Sequence, residues 1–158
     1  MITKDLLQFL ADLKANNNRD WFQENKPTFK KHESVAKAFF KKVEERLNES
    51  DQIEKHKVMR IYRDVRFSKD KTPYKPRFAG SFSRATAALR GGYFLNIQPD
   101  GHSIAGGGFY GPNPDDLKRI RQEFEMDDSE IREILNEPTF KATFGEMRGE
   151  ELKSAPRG

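Results

Sequence analysis

Leu6, Leu7, Phe9, Leu10 and Leu13 recur at the spacing of one helical face and predict a short amphipathic helix over 3–14. The run Asn16, Asn17, Asn18 marks its end, because asparagine tolerates left-handed backbone and caps helices. A second helix is expected to begin at Asn17 or Asn18, with Asp20 in its first turn and Trp21 and Phe22 turned inward. Pro27 then suits a helix start, and Phe29, His32, Ala36, Phe39, Phe40, Val43 and Leu47 trace one stripe along the longest helix of the chain. His32 lies within that stripe and reads as a hydrogen-bonded structural histidine. Residues 48–57 read as a polar connection.

From residue 58 the period changes from helical to two. Read as a strand, 58–67 sends Met59, Ile61, Val65 and Phe67 to one face and Arg60, Tyr62, Asp64 and Arg66 to the other. Residues 68–73, with Pro73, leave it as a loop. A second strand is expected over 78–84 and, after a mobile connection at 84–92, a third over 92–98, with Tyr93, Leu95 and Ile97 opposed to Phe94, Asn96 and Gln98. Pro99-Asp100-Gly101 is a strong turn signal, so 102–109 should return as a hairpin partner. Asn113 as a cap with Pro114 in the first turn opens another helix, a short one follows around 129–135, and Phe140, Phe144 and Met147 mark a further apolar face. The last eight residues carry no apolar pattern. These elements predict an α+β fold: a small antiparallel sheet flanked by N-terminal and C-terminal helices, in one domain over 1–158.

Composition narrows the chemistry. The chain has no Cys, which removes disulfides, thiolate metal sites and a Cys nucleophile. Lys4, Asp5 and Asp12 interrupt the apolar pattern of the N-terminus, against a signal peptide, and no run reaches membrane-spanning length, so a cytoplasmic protein with no membrane partner is the expectation. Net charge is +4, yet residues 57–77 hold eight Lys or Arg against Asp64 and Asp70, a local +6, so the rest of the chain sums to −2. Clustering therefore says more than the total.

Three readings of that cluster follow. As an anion site, Arg60, Tyr62, Asp64, Arg66, Lys69, Lys71 and Lys75 form a basic face for a phosphate-containing ligand or nucleic acid, with guanidinium groups on phosphate, Tyr62 stacking and Asp64 orienting an arginine. Arg60 and Arg66 stand too far apart along an extended strand for one phosphate, so two phosphates or a longer backbone fit better. As structure, Asp64 and Asp70 pair with nearby arginines, Tyr62 packs under a helix, and the charges protect a sheet edge. As an enzyme on a phosphoester, Arg60 and Arg66 stabilise charge and Asp64 is the base. No metal-ligand spacing joins His56, His102 and the carboxylates, the GSFSR segment lacks the last glycine of a nucleophile elbow, and the Gly106-Gly107-Gly108 run matches no dinucleotide or phosphate-loop pattern. No cofactor or oligomeric state is indicated.

With RIYRDVRFSKDKTPYK, GGYFLNIQPDG, AGGGFYGPNPDDLKRIR and NNNRDWFQENK in view, the sequence resembles the bacterial domain of unknown function family 2461 from about Leu6 to Gly158. The resemblance implies an α+β domain of conserved hypothetical proteins and supplies no activity and no catalytic residues. It also implies further, mostly helical sequence beyond Gly158, so that the chain is expected to be truncated at its C-terminus.

Overall fold

The computed structural model describes residues 1–86 and 88–149. Contacts divide the chain into two compact units, Met1–Tyr110 and Gly111–Gly158.

The first unit opens with helices α1 (Lys4–Ala15), α2 (Arg19–Glu24) and α3 (Lys26–Leu47). Their starts are set locally: the Thr3 hydroxyl accepts from the Leu6 N–H, the Asn18 side chain accepts from the Trp21 N–H, and Pro27 sits in the first turn of α3. Four strands follow, β1 (Ile53–Val58), β2 (Phe78–Arg84), β3 (Gly92–Ile97) and β4 (Ile104–Gly108), in the antiparallel order β1-β2-β3-β4. Within the connection 98–103 between β3 and β4, Asp100 and Gly101 both have positive φ, 62° and 72°, and the His102 N–H donates to the Pro99 carbonyl at 3.2 Å, the tight turn that reverses the chain.

Alternation along the strands assigns the two faces of the sheet. Phe82 pairs with Tyr93, Gly80 with Leu95 and Phe78 with Ile97, and this face meets the helices. Phe40 of α3 stacks on Phe82 and Phe29 on Phe78, each at 6.0 Å between ring centroids. Gly80 makes that approach possible, because a Cβ there would lie 2.5 Å from the Phe40 ring. Leu6, Leu10 and Leu13 of α1 complete the core.

Two expectations for this region are corrected. Residues 53–58 form an edge strand rather than part of a polar connection; its charged run, Glu54 to Lys57, is what an edge strand tolerates because only one face packs inward. The segment from residue 59 is not a strand at all. Ile61 is buried as expected, but Met59 is 43% exposed and Phe67 94% exposed, so the alternation across 58–67 fails on both sides of Ile61. Pairing ends at Val58, and Asp64 and Asp70 bend the chain by accepting the N–H groups of Arg66 and Thr72 two residues on.

The second unit contains α4 (Pro114–Met126), α5 (Ser129–Asn136) and α6 (Pro138–Phe144). Asn113 caps α4 as the sequence predicts, and Glu137 caps α6 through both carboxylate oxygens. The expected loose end over 151–158 lies outside the described residues, as does residue 87 of the connection expected to be mobile. Six helices and a four-stranded antiparallel sheet among the described residues make the fold α+β, with helices preceding and following the sheet along the chain. No helix among them is long and apolar enough to cross a membrane.

His32, on α3, is largely buried 5.3 Å from the Phe9 ring, and burial first, then the charge of Lys31, pulls its pKa below the ordinary histidine value, while Asp5 opposes. The unfolded chain therefore binds the proton more readily than the fold, and stability falls as pH drops below about 6.5, the ordinary histidine value. Melting temperature should decline between about pH 7.5 and pH 5, and His32→Gln should flatten that part of the profile. A variant profile parallel to the wild type would remove His32 as the cause.

Candidate functional site

The basic stretch forms a narrow stem and a turned tip. In the stem, the Arg63 N–H donates to the Pro73 carbonyl and the Lys75 N–H to the Ile61 carbonyl, each at 2.8 Å, which makes Tyr62 and Tyr74 an isolated antiparallel bridge. The Tyr74 N–H and C=O then point away from the bridge, where Asn17 takes both: its Oδ1 accepts from Tyr74 N at 3.1 Å and its Nδ2 donates to Tyr74 O at 2.9 Å. On the same side, Phe22 stacks on Tyr74 at 4.0 Å and meets the edge of Tyr62 at 5.9 Å. The turn between α1 and α2 thus holds the stem in one register against the core.

Asn17→Ala would leave both backbone groups of Tyr74 without their partners in a largely buried place. A loss of about 1–3 kcal/mol is expected in urea denaturation. An unchanged midpoint would mean that the stacked rings alone fix the stem.

At the tip the cations divide into two classes. Arg66 is paired with Asp64 through two parallel contacts, Nε to Oδ1 at 3.0 Å and Nη2 to Oδ2 at 2.6 Å. Arg63 pairs with Asp70 at 2.8 Å, and Lys71 reaches across the loop to the Val65 carbonyl at 2.9 Å. These contacts brace the tip. The side chains of Arg60, Lys69, Lys75 and Arg77 make no hydrogen bond or ion pair among the described residues. Tyr62 is 46% exposed, with part of its ring committed to Phe22 and Tyr74. Of the seven residues the sequence singles out, the structure therefore gathers all on one stem and tip, but assigns Asp64, Arg66 and Lys71 to bracing it. Arg77, just beyond the stem, and Asn17, far upstream, were missed. Arg77 was visible in the charge count; nothing in the sequence ties Asn17 to Tyr74.

The electrostatics follow the pairing. The hydrogen bonds from Arg66, side chain first and then backbone, hold the Asp64 carboxyl below its usual pKa, with Arg60 contributing charge, and Thr72 does the same for Asp70. Asp64 raises the pKa of Arg66 in return. His56 is bound elsewhere, with Nδ1 2.8 Å from Glu44 of α3. No group of three or more His, Asp or Glu side chains among the described residues is placed to hold a metal ion.

The fold is thus α+β, and its first unit carries a braced, exposed cationic lobe. A family model described as Conserved hypothetical protein (DUF2461) matches residues 5–158, and the chain belongs to that family. No curated protein and no solved structure matches it.

Proposed function

We propose that the lobe formed by residues 59–77 binds a phosphate-rich polyanion, through Arg60, Lys69, Lys75 and Arg77, with Lys71 adding charge from its place across the tip. One observation carries this reading. Two ion pairs cancel four charges, and of the six cations left in 57–77 all but Lys57, which lies in β1, are set on a lobe whose stem the core holds rigid. Such crowding of one sign costs a fold self-repulsion, which a polyanion relieves. Edge protection gives a weaker reason for it, since the lobe is not a sheet edge. Phosphoester chemistry with Asp64 as base has less support: both carboxylate oxygens are engaged by Arg66 and the pKa is lowered, which makes Asp64 a poor proton acceptor.

The test is a thermal-shift titration with inorganic polyphosphate at about 50 mM and about 200 mM salt. A ligand that prefers the native state raises the melting temperature, and a charge-driven one does so less as salt rises. The expected result is stabilisation at low salt that fades at high salt. No stabilisation at low salt, or a shift indifferent to salt, would contradict the reading.

A further inference from the structure

The helices of the first unit cover one face of its sheet, and the other face has an unusual make-up. Three rows run across it. One is Lys57, Ser81, Phe94 and Gly106; the next is Lys55, Ser83, Gly92 and Gly108; the third joins Ala79, Asn96 and Ile104, with the Met59 N–H bonded to the Ala79 carbonyl. Small residues thus floor the two lysine rows, and a groove of about 740 Å³ lies over them, walled by Met59, Phe94, Phe109 and Tyr110.

Phe94 is the informative residue. A Cβ on Gly106 would lie 2.7 Å from its ring, so the ring lies down over the bare backbone of β4. It remains 48% exposed, and Tyr110 at the rim is fully exposed. A ring lying on glycine presents a face, and a face is what a nucleobase stacks on. Neighbouring strands are about 4.8 Å apart, so Lys57, two strands away in the same row, starts about 10 Å from Phe94. That interval suits a lysine reaching the phosphate of a nucleotide whose base rests on the ring. Met59 ends the groove, and the next residue, Arg60, begins the cationic lobe, so the stacking surface and the charge run into one another along the chain.

We infer that this sheet face binds single-stranded nucleic acid, with bases stacked on Phe94 and on Phe109 or Tyr110 and the phosphates drawn to Lys55, Lys57 and Arg60. The inference deepens the polyanion reading and rests on it for the charge, but the aromatic platform is its own observation. Aromatic stacking on a sheet accepts any base, so binding should show little sequence preference and a strong preference for single strands, whose bases are free.

The test is fluorescence anisotropy of the full chain at about 50 mM salt with an oligothymidylate of about 15 nucleotides, a duplex of the same length, and inorganic polyphosphate. Phe94→Ala should weaken the single strand about tenfold or more and leave polyphosphate unchanged. Phe94→Tyr, which keeps a ring, should restore the affinity, and because Phe94 is half exposed both variants should melt like the wild type. Duplex bound as tightly as the single strand, or Phe94→Ala binding like the wild type, would overturn the sheet-face inference while polyphosphate binding kept the lobe reading intact. Polyphosphate failing to bind would overturn the lobe reading itself, whatever the oligothymidylate does. Polyphosphate bound and oligothymidylate ignored would assign the groove to a partner other than nucleic acid and overturn this inference alone.

Discussion

Phe22→Ala is expected to cost about 3–5 kcal/mol of folding stability, the range for removing a fully buried phenylalanine ring. Phe22 is completely buried, stacked on Tyr74 at 4.0 Å and 5.1 Å from the Phe29 centroid, so its removal opens a cavity between α2, α3 and the stem. The loss should not be spread evenly. Tyr62 and Tyr74 lose the ring they share, and the stem has only two bridging backbone bonds to hold it, Arg63 to Pro73 and Lys75 to Ile61. Urea denaturation should report the fall in stability, and hydrogen exchange should show the Arg63 and Lys75 amides losing protection well before those of β2 and β3. Retained protection at those two amides would mean that Asn17 suffices to hold the lobe.

The second large effect concerns charge placement rather than charge total. Replacing Arg60, Lys69 and Lys75 together by alanine should weaken inorganic polyphosphate on the order of 10- to 100-fold at about 50 mM salt, since each lost cation gives up a phosphate contact and the counterion release that goes with it. The fold should survive, because none of these side chains makes a hydrogen bond or ion pair among the described residues. Asp64→Asn with Arg66→Gln removes the braced pair at unchanged local net charge. Affinity within about threefold of the wild type is expected of it, as exposed pairs contribute little to begin with. A double variant as impaired as the triple one would show that Arg66 binds ligand in spite of Asp64.

The helices, β2, β3 and the β3–β4 turn were legible because each carries its own local signal. Thr3, Asn18 and Asn113 cap by chemistry that acts within three residues, and Asp100-Gly101 dictates the turn it makes. β1 was hidden because an edge strand facing solvent need show only alternate inward residues, and here the inward face pairs apolar Val58 with polar His56. The misread segment at 58–67 fails for a different reason. Of its predicted inward face only Ile61 is buried, while Met59 and Phe67 are exposed, and two aspartates that look like ion-pair partners also act as turn formers, which period alone cannot show. The cationic cluster itself was plain in the sequence; its division into braced and unpaired cations was not, since that depends on which carboxylate lies within reach once the tip has turned. Phe94 left a trace as well. It is the aromatic on the polar side of its strand, with Asn96 and Gln98, and only the register beside Gly106 turns that oddity into a platform.

The most direct test of the cationic lobe as a polyanion site is the slope of log affinity for inorganic polyphosphate against log salt, compared between the wild type and the Arg60→Ala, Lys69→Ala, Lys75→Ala variant. A slope that becomes shallower by roughly one for each cation removed is the expected result. Equal slopes in the two proteins would place the binding charge elsewhere on the molecule and contradict the assignment.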